Sequence, residues 1–290
     1  MHMGNNAMVG NPYSLIAIDV DGTLLTSEKK ILPETLLALK RVSDKGVQLS
    51  FATGRAFVEM AEFFGLTPMI RYAILYSGAI LYDCAMKKTL FKMEIPAALF
   101  GDIIQVANKY HGMIAFLTEG ESIVSKYDIS HMEDFHMEEY QPLYEKVTRQ
   151  VDDMSIESRN HDSITKIEIY FRTIEDRQSG FQELKYLPLT FAFGGETRLE
   201  MNAEGVSKGT ALETLAKTLN IPLDQTIAMG DDDNDRSMFT CAGLSVVTSN
   251  ARADIKEMAD MIVPSNDSNG VGEAIDRIFG RLEQRKETKK

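Results

Sequence analysis

The residues of this sequence whose types and spacing can do chemistry are carboxylates gathered at the ends of short apolar runs. Asp19 and Asp21 stand two positions apart in Asp19-Val20-Asp21-Gly22-Thr23, where a turn can aim both at one point. Two carboxylates that close repel unless they share a proton or a cation. A second group, Gly230-Asp231-Asp232-Asp233-Asn234-Asp235, closes another apolar run far along the chain. With Asp231 added, the donors are hard oxygens with no His or Cys beside them, which favours Mg2+ over zinc. An Asp-Gly pair alone is an ordinary turn after a strand. The recurrence of acidic, glycine-bearing segments at two strand ends, in order, is what points to a metal site. Lys208, in Val206-Ser207-Lys208-Gly209-Thr210, opens a helical stretch, where a lysine can neutralise a phosphate near the helix N-terminus. Taken alone it reads as a solvated charge, and Thr53-Gly54 alone reads as a turn. Asp232 and Asp233 read as solvated loop charges.

These segments can act together only if the fold brings them to one edge. The apolar runs at 15–20, 47–52 and 72–76 are separated by PETLLALKRVSDKG and RAFVEMAEFFG, both helical in pattern. Pro33 suits a first helical turn and Gly46 a C-terminal cap. The alternation returns after residue 205, with KGTALETLAKTLN as a helix, TIAMGD as a strand, two further helix-and-strand alternations and a closing helix. This spacing predicts the α/β class, with a Rossmann-like core built on a parallel sheet. Ligands of open α/β sheets bind beyond the carboxyl ends of the strands, and Asp19, Thr53 and Asp231 all fall there. The middle of the chain differs. MIAFLTE and ESIVSK read as a hairpin, KIEIYF alternates as a half-buried strand would, and LTFAFGG and RLEMN suggest antiparallel strands. The expected organisation is a discontinuous core of residues 12–85 plus 196–284, an inserted α+β cap domain over 86–195, and flexible ends at 1–11 and 285–290.

Composition narrows the function classes. The 290 residues are 44% hydrophobic and 26% charged, ordinary for a chain that buries a core. With 31 Lys+Arg against 43 Asp+Glu the net charge is −12, which disfavours nucleic acid and anionic membranes as partners. Two cysteines, Cys84 and Cys241, exclude a disulfide framework and a Cys-rich zinc site and read as small buried hydrophobes. The opening MHMGNNAMVGNPYS has no apolar core of a secretory signal, and no apolar run approaches the roughly 18 residues of a membrane span. The expected location is cytoplasmic.

Taken together and in order, Asp19-Val20-Asp21-Gly22-Thr23-Leu24-Leu25, Thr53-Gly54-Arg55, Lys208-Gly209-Thr210 and Gly230-Asp231-x-x-Asn234-Asp235 resemble the four motifs of the haloacid dehalogenase superfamily of phosphohydrolases. The layout is similar to its Cof-type branch, with a type IIB cap inserted between the second and third motifs. The resemblance implies that Asp19 is a nucleophile forming an aspartyl-phosphate and that Asp21 is first general acid, then general base. It implies Mg2+ held by Asp19, the backbone carbonyl of Asp21, and Asp231. Thr53, the amide of Gly54, Lys208, Asn234 and the amide of Val20 would hold the phosphoryl oxygens, and Asp235 would orient Lys208 or a metal-bound water. In transport ATPases of the superfamily a Thr stands where this chain has Asp21, and their acyl-phosphate lives longer. Relatives commonly carry Asn-Gly-Ala after the third strand, whereas this chain has Ser77-Gly78-Ala79. The expected partner is a small phosphorylated metabolite, foremost a sugar phosphate. A phosphomutase of the same superfamily is the alternative enzyme, although its relatives have a longer spacing before the final Asn-Asp. A non-catalytic sugar-phosphate sensor is the alternative binding module, which loss of Asp19, Asp21 or Lys208 would favour, and all three are present.

Overall fold

The segment Leu-Ile-Ala-Ile has no polar side to offer solvent. In the structure, a computed structural model that describes residues 12–280, it forms the strand Leu15–Ile18, buried throughout. The ends expected to be flexible lie outside the described residues. A strand buried on both faces belongs in a parallel sheet covered by helices, and such a sheet is found. The chain divides into two compact units, the first comprising residues 12–53, 67–73 and 212–280 of the described chain and the second comprising 54–66 and 74–211.

In the first unit the sheet runs in the order Met261–Val263, Leu244–Thr248, Thr226–Gly230, Leu15–Ile18, Gln48–Ala52, and then the first two residues of Tyr72–Leu75. The first five strands pair in parallel. Sequence order reverses direction between Leu15–Ile18 and Thr226–Gly230. That is the switch point at which an open α/β sheet leaves a crevice for a ligand. The helix Pro33–Asp44 follows the first strand, with Pro33 in its first turn and Thr35, Ala38, Leu39 and Val42 on its buried side. The spacing of those four is one helical face. Gly46, just past its end, has φ +86°, the left-handed conformation glycine adopts at no steric cost.

The second unit holds a six-stranded sheet in the order Leu189–Gly194, Arg198–Ala203, Lys166–Tyr170, Met113–Leu117, Ser122–Ser125, Thr148–Val151. Its pairs are antiparallel except the last, which is parallel. The strand Thr148–Val151 and an antiparallel pair, Ile80–Asp83 with Lys88–Lys92, were not anticipated from the sequence. One side of the six-stranded sheet presents Ile114, Phe116, Ile167, Ile169, Leu199 and Met201, packed with Ile103, Ile104 and Leu184 of the helices Phe100–Lys109 and Ile174–Leu184. The alternation in Lys166–Tyr170 predicts a half-buried strand, yet all five residues are buried. Its polar side is closed by ion pairs, Lys166 with Glu168 at 2.8 Å and with Glu200 at 2.7 Å. Among the described residues no helix is long and apolar enough to cross a membrane.

Candidate active site

The first unit brings Asp19, Asp231 and Asp235 together. One carboxylate oxygen of each lies within 4.8 Å of the others. Asp19 follows the strand Leu15–Ile18, and its amide donates to the Met229 carbonyl at 2.9 Å, fixing it beside the strand Thr226–Gly230. The chain then folds back: the Leu24 amide donates to the Asp19 carbonyl at 3.2 Å and the Leu25 amide to the Val20 carbonyl at 2.9 Å. At the top of this turn Gly22 has φ +84°, and a Cβ there would collide with the Asp231 carboxylate. Asp231 is held in turn by the Thr23 hydroxyl, which donates to Oδ1 at 2.6 Å, and by Asn250 Nδ2, which donates to Oδ2 at 3.3 Å. Asn250 also donates to the Gly22 carbonyl at 2.9 Å.

Asp235 is fully buried, and its Oδ2 accepts the amides of Asp231 at 2.9 Å and Asp232 at 3.0 Å. It therefore fixes the acidic loop and joins the carboxylate cluster. Three carboxylates this close, with only oxygen donors, fit a small hard cation such as Mg2+, which removes their mutual repulsion. The Asp21 carboxylate is partly exposed and pairs with Lys29 Nζ at 2.8 Å. Thr53 is buried behind the strand Gln48–Ala52, Val20 is buried, and Asn234 is half-buried in the turn Asp233–Asp235. Asp232 and Asp233 pair with Arg252 at 3.5 and 3.0 Å, and Asp233 also with Arg236 at 2.8 Å. Burial opposes the charge of Asp233, but hydrogen bonds from Arg236 and Arg252 outweigh it and hold the carboxyl below its usual range.

The second unit carries Gly54 and Lys208. Lys208 opens the helix Lys208–Leu219 and is only 1% exposed, unlike the solvated lysine expected of a surface helix. Ser207 caps that helix, its hydroxyl accepting the Thr210 amide at 3.1 Å. The Gly54 carbonyl accepts from Lys166 Nζ at 3.3 Å. Tyr76, Ser77 and Gly78 all have positive φ, at 52°, 58° and 112°, and a Cβ at Gly78 would strike the Ser207 carbonyl. Ser77 Oγ is buried without a hydrogen-bond partner. Burial pushes the Cys84 thiol up to about 12 and the Cys241 thiol up to about 11, so neither supplies a thiolate near neutral pH. Sequence reasoning missed Thr23, Asn250 and Lys29. Thr23 left a signal as the last residue of Asp19-Val20-Asp21-Gly22-Thr23, and Asn250 left one because it stands just beyond another strand end, that of Leu244–Thr248.

A family model of haloacid dehalogenase-like hydrolases matches residues 16–275. The chain belongs to that family. Phosphatase YwpJ of Bacillus subtilis is 28% identical over 91% of this chain and 99% of its own length. Pyridoxal phosphate phosphatase YbhA of Escherichia coli is 25% identical over 90% and 97%. A solved haloacid dehalogenase subclass IIB sugar phosphatase, 22% identical, shares the fold with a TM-score of 0.78 over 92% of this chain and 99% of that one. As a member of the family the chain is a hydrolase, and phosphoric monoester hydrolase is the class its relatives share.

Proposed function

We propose that this enzyme is a Mg2+-dependent phosphohydrolase of small phosphorylated metabolites, foremost sugar phosphates, working through an aspartyl-phosphate. The observation that carries the reading is the convergence of Asp19, Asp231 and Asp235 at the switch point of the parallel sheet. Asp19 attacks phosphorus in line, and its carboxylate becomes the acyl-phosphate. Asp21 protonates the leaving alkoxide and then takes a proton from the attacking water. The Asp21–Lys29 pair keeps the Asp21 carboxylate on the exposed side of the turn, where a proton can be exchanged. Asp19, the Asp21 carbonyl and Asp231 would hold Mg2+, with Asp235 beside them. When bound, the ion neutralises phosphoryl charge that would otherwise repel an anionic nucleophile. Thr53, Lys208, Asn234 and the amides of Gly54 and Val20 hold the phosphoryl oxygens, the electrostatic clamp that phosphoryl transfer requires.

In this reading residues 12–85 and 196–284 form the catalytic core, and residues 86–195 form the cap that selects the leaving group. The test is a phosphate-release screen over a panel of phosphorylated metabolites with Mg2+, run beside the Asp19→Asn variant. Phosphate released by the wild type and not by the variant supports hydrolysis through Asp19. An isomerised ester in place of free phosphate would favour a mutase, and binding without either product a sensor.

A further inference from the structure

The polar side of the six-stranded sheet carries an ion cluster that the proposed chemistry does not use. Lys166 is 1% exposed, and its ammonium has three protons to donate. All three have acceptors: Glu168 Oε1 at 2.8 Å, Glu200 Oε2 at 2.7 Å and the Gly54 carbonyl at 3.3 Å. Burial disfavours the ammonium, but the attraction of Glu168 and Glu200 outweighs it, and the lysine stays charged. Arg198 Nη2 holds the other oxygen of Glu200 at 2.8 Å, and the Tyr170 hydroxyl donates to Glu168 Oε2 at 2.6 Å, so neither carboxylate can turn away. A neighbouring contact acts the same way. Asn202 Nδ2 donates to the Tyr76 carbonyl at 3.1 Å, and the Tyr76 amide donates to the Arg55 carbonyl at 3.1 Å. Successive carbonyls, of Gly54 and Arg55, are thus tied to groups anchored on or through this sheet.

We infer that Lys166 is a positioning residue that fixes the backbone of the Thr53-Gly54 loop. The inference rests on the reading of that loop as a holder of phosphoryl oxygens. Glycine has the freest backbone of all residues, so an amide at Gly54 aims at an oxygen only if something outside the loop restrains it. With its three protons committed, Lys166 has none for a substrate, and it acts through Gly54.

The test compares the wild type, Lys166→Met, and the double variant Lys166→Met/Glu168→Gln, which keeps Glu200 paired with Arg198 and so restores the charge balance of the cluster. Each is assayed with p-nitrophenyl phosphate and Mg2+, with inorganic phosphate as inhibitor and the melting temperature as a measure of folding. The inference expects the double variant to recover the melting temperature that the single variant loses. It also expects both to keep at least tenfold weaker inhibition by phosphate and a raised KM, with the smaller change in kcat. A double variant with phosphate inhibition and KM within twofold of wild type would make the lysine purely structural and overturn the inference. Failure of both variants to fold assigns the lysine to the fold alone and overturns it as well. A wild type that neither hydrolyses the ester nor gains melting temperature from phosphate and Mg2+ overturns the phosphohydrolase reading, and this inference with it.

Discussion

Gly22→Ala is the smallest change that should dismantle the carboxylate cluster without touching a carboxylate. Gly22 sits at φ +84°, and the added methyl carbon would occupy the space of the Asp231 carboxylate. Holding alanine in the left-handed region costs roughly 1–2 kcal/mol. The collision is not with the tip of a flexible chain in open space, because Thr23 Oγ1 at 2.6 Å and Asn250 Nδ2 at 3.3 Å both hold that carboxylate. Moving Asp231 forfeits these bonds, each worth about 1.5 kcal/mol at the low end for a charged acceptor. The sum, about 4 kcal/mol, corresponds to a fall in melting temperature of roughly 8–16 °C for a chain of this size. Displacing one of the carboxylates should also raise the Mg2+ concentration for half-maximal activity at least tenfold, about 1.4 kcal/mol. Differential scanning calorimetry and a Mg2+ titration of phosphate release read the two effects. Thr23→Val is the control: it removes one bond, leaves Asp231 in place, and should cost about a third as much stability with little change in Mg2+ dependence. If Gly22→Ala melts within about 1 °C of wild type and half-saturates at the same Mg2+ concentration, the turn is not held against Asp231 as described.

Three further outcomes are expected. Asp19→Asn should fold normally and lose several powers of ten in turnover, since it removes the nucleophile at nearly constant shape; more than about 1% of wild-type activity would rule out the covalent route. Exhaustive chelation should abolish phosphate release, and Mg2+ should restore it; undiminished activity after chelation would dispose of the metal site. Burial raises the carboxyl pKa of Glu59, the Ala56 amide at 2.7 Å lowers it less, and the Glu168 charge adds to the rise. The folded state therefore binds this proton more tightly than the unfolded one, and stability is lost as pH climbs through the raised value. Glu59→Gln keeps an acceptor for Ala56, so it should raise the melting temperature at pH 8 and leave it nearly unchanged at pH 4. An equal shift at both would mean that the charge is not the cause.

The parallel sheet was legible because its strands are short, mostly apolar and spaced by helices of clear period. LIAI and TIAMG can be buried on both faces only in such a sheet. The nearness of Asp19 to Asp231 follows from the same pattern, since each stands one residue beyond a strand and the strands are neighbours. What fixes these side chains was not legible. Thr23 and Asp231 are 208 residues apart and meet because a positive-φ glycine turns the intervening backbone toward the acidic loop. Asp235 shows the same limit. Its spacing from Asp231 is compatible with several roles, and only the loop conformation directs its Oδ2 to the Asp231 and Asp232 amides.

The polar side of the second unit's sheet was illegible for a different reason. Period-two alternation in KIEIY states which side chains share a side and says nothing about whether that side meets water. The deciding fact is register, which sets Glu168 directly opposite Glu200 and Tyr170 opposite Arg198. Two carboxylates facing each other across neighbouring strands destabilise a sheet, and burial makes the repulsion worse. The pairing is tolerable only with a cation between them, and Lys166, two residues before Glu168 on the same side, supplies it. The same nitrogen reaches the Gly54 carbonyl. A requirement of the fold and a requirement of the proposed phosphoryl-holding loop thus converge on one atom, so a single substitution at Lys166 cannot tell them apart. Neutralising Glu168 together with the lysine, which leaves Glu200 paired with Arg198, removes the first requirement and leaves the second exposed to measurement.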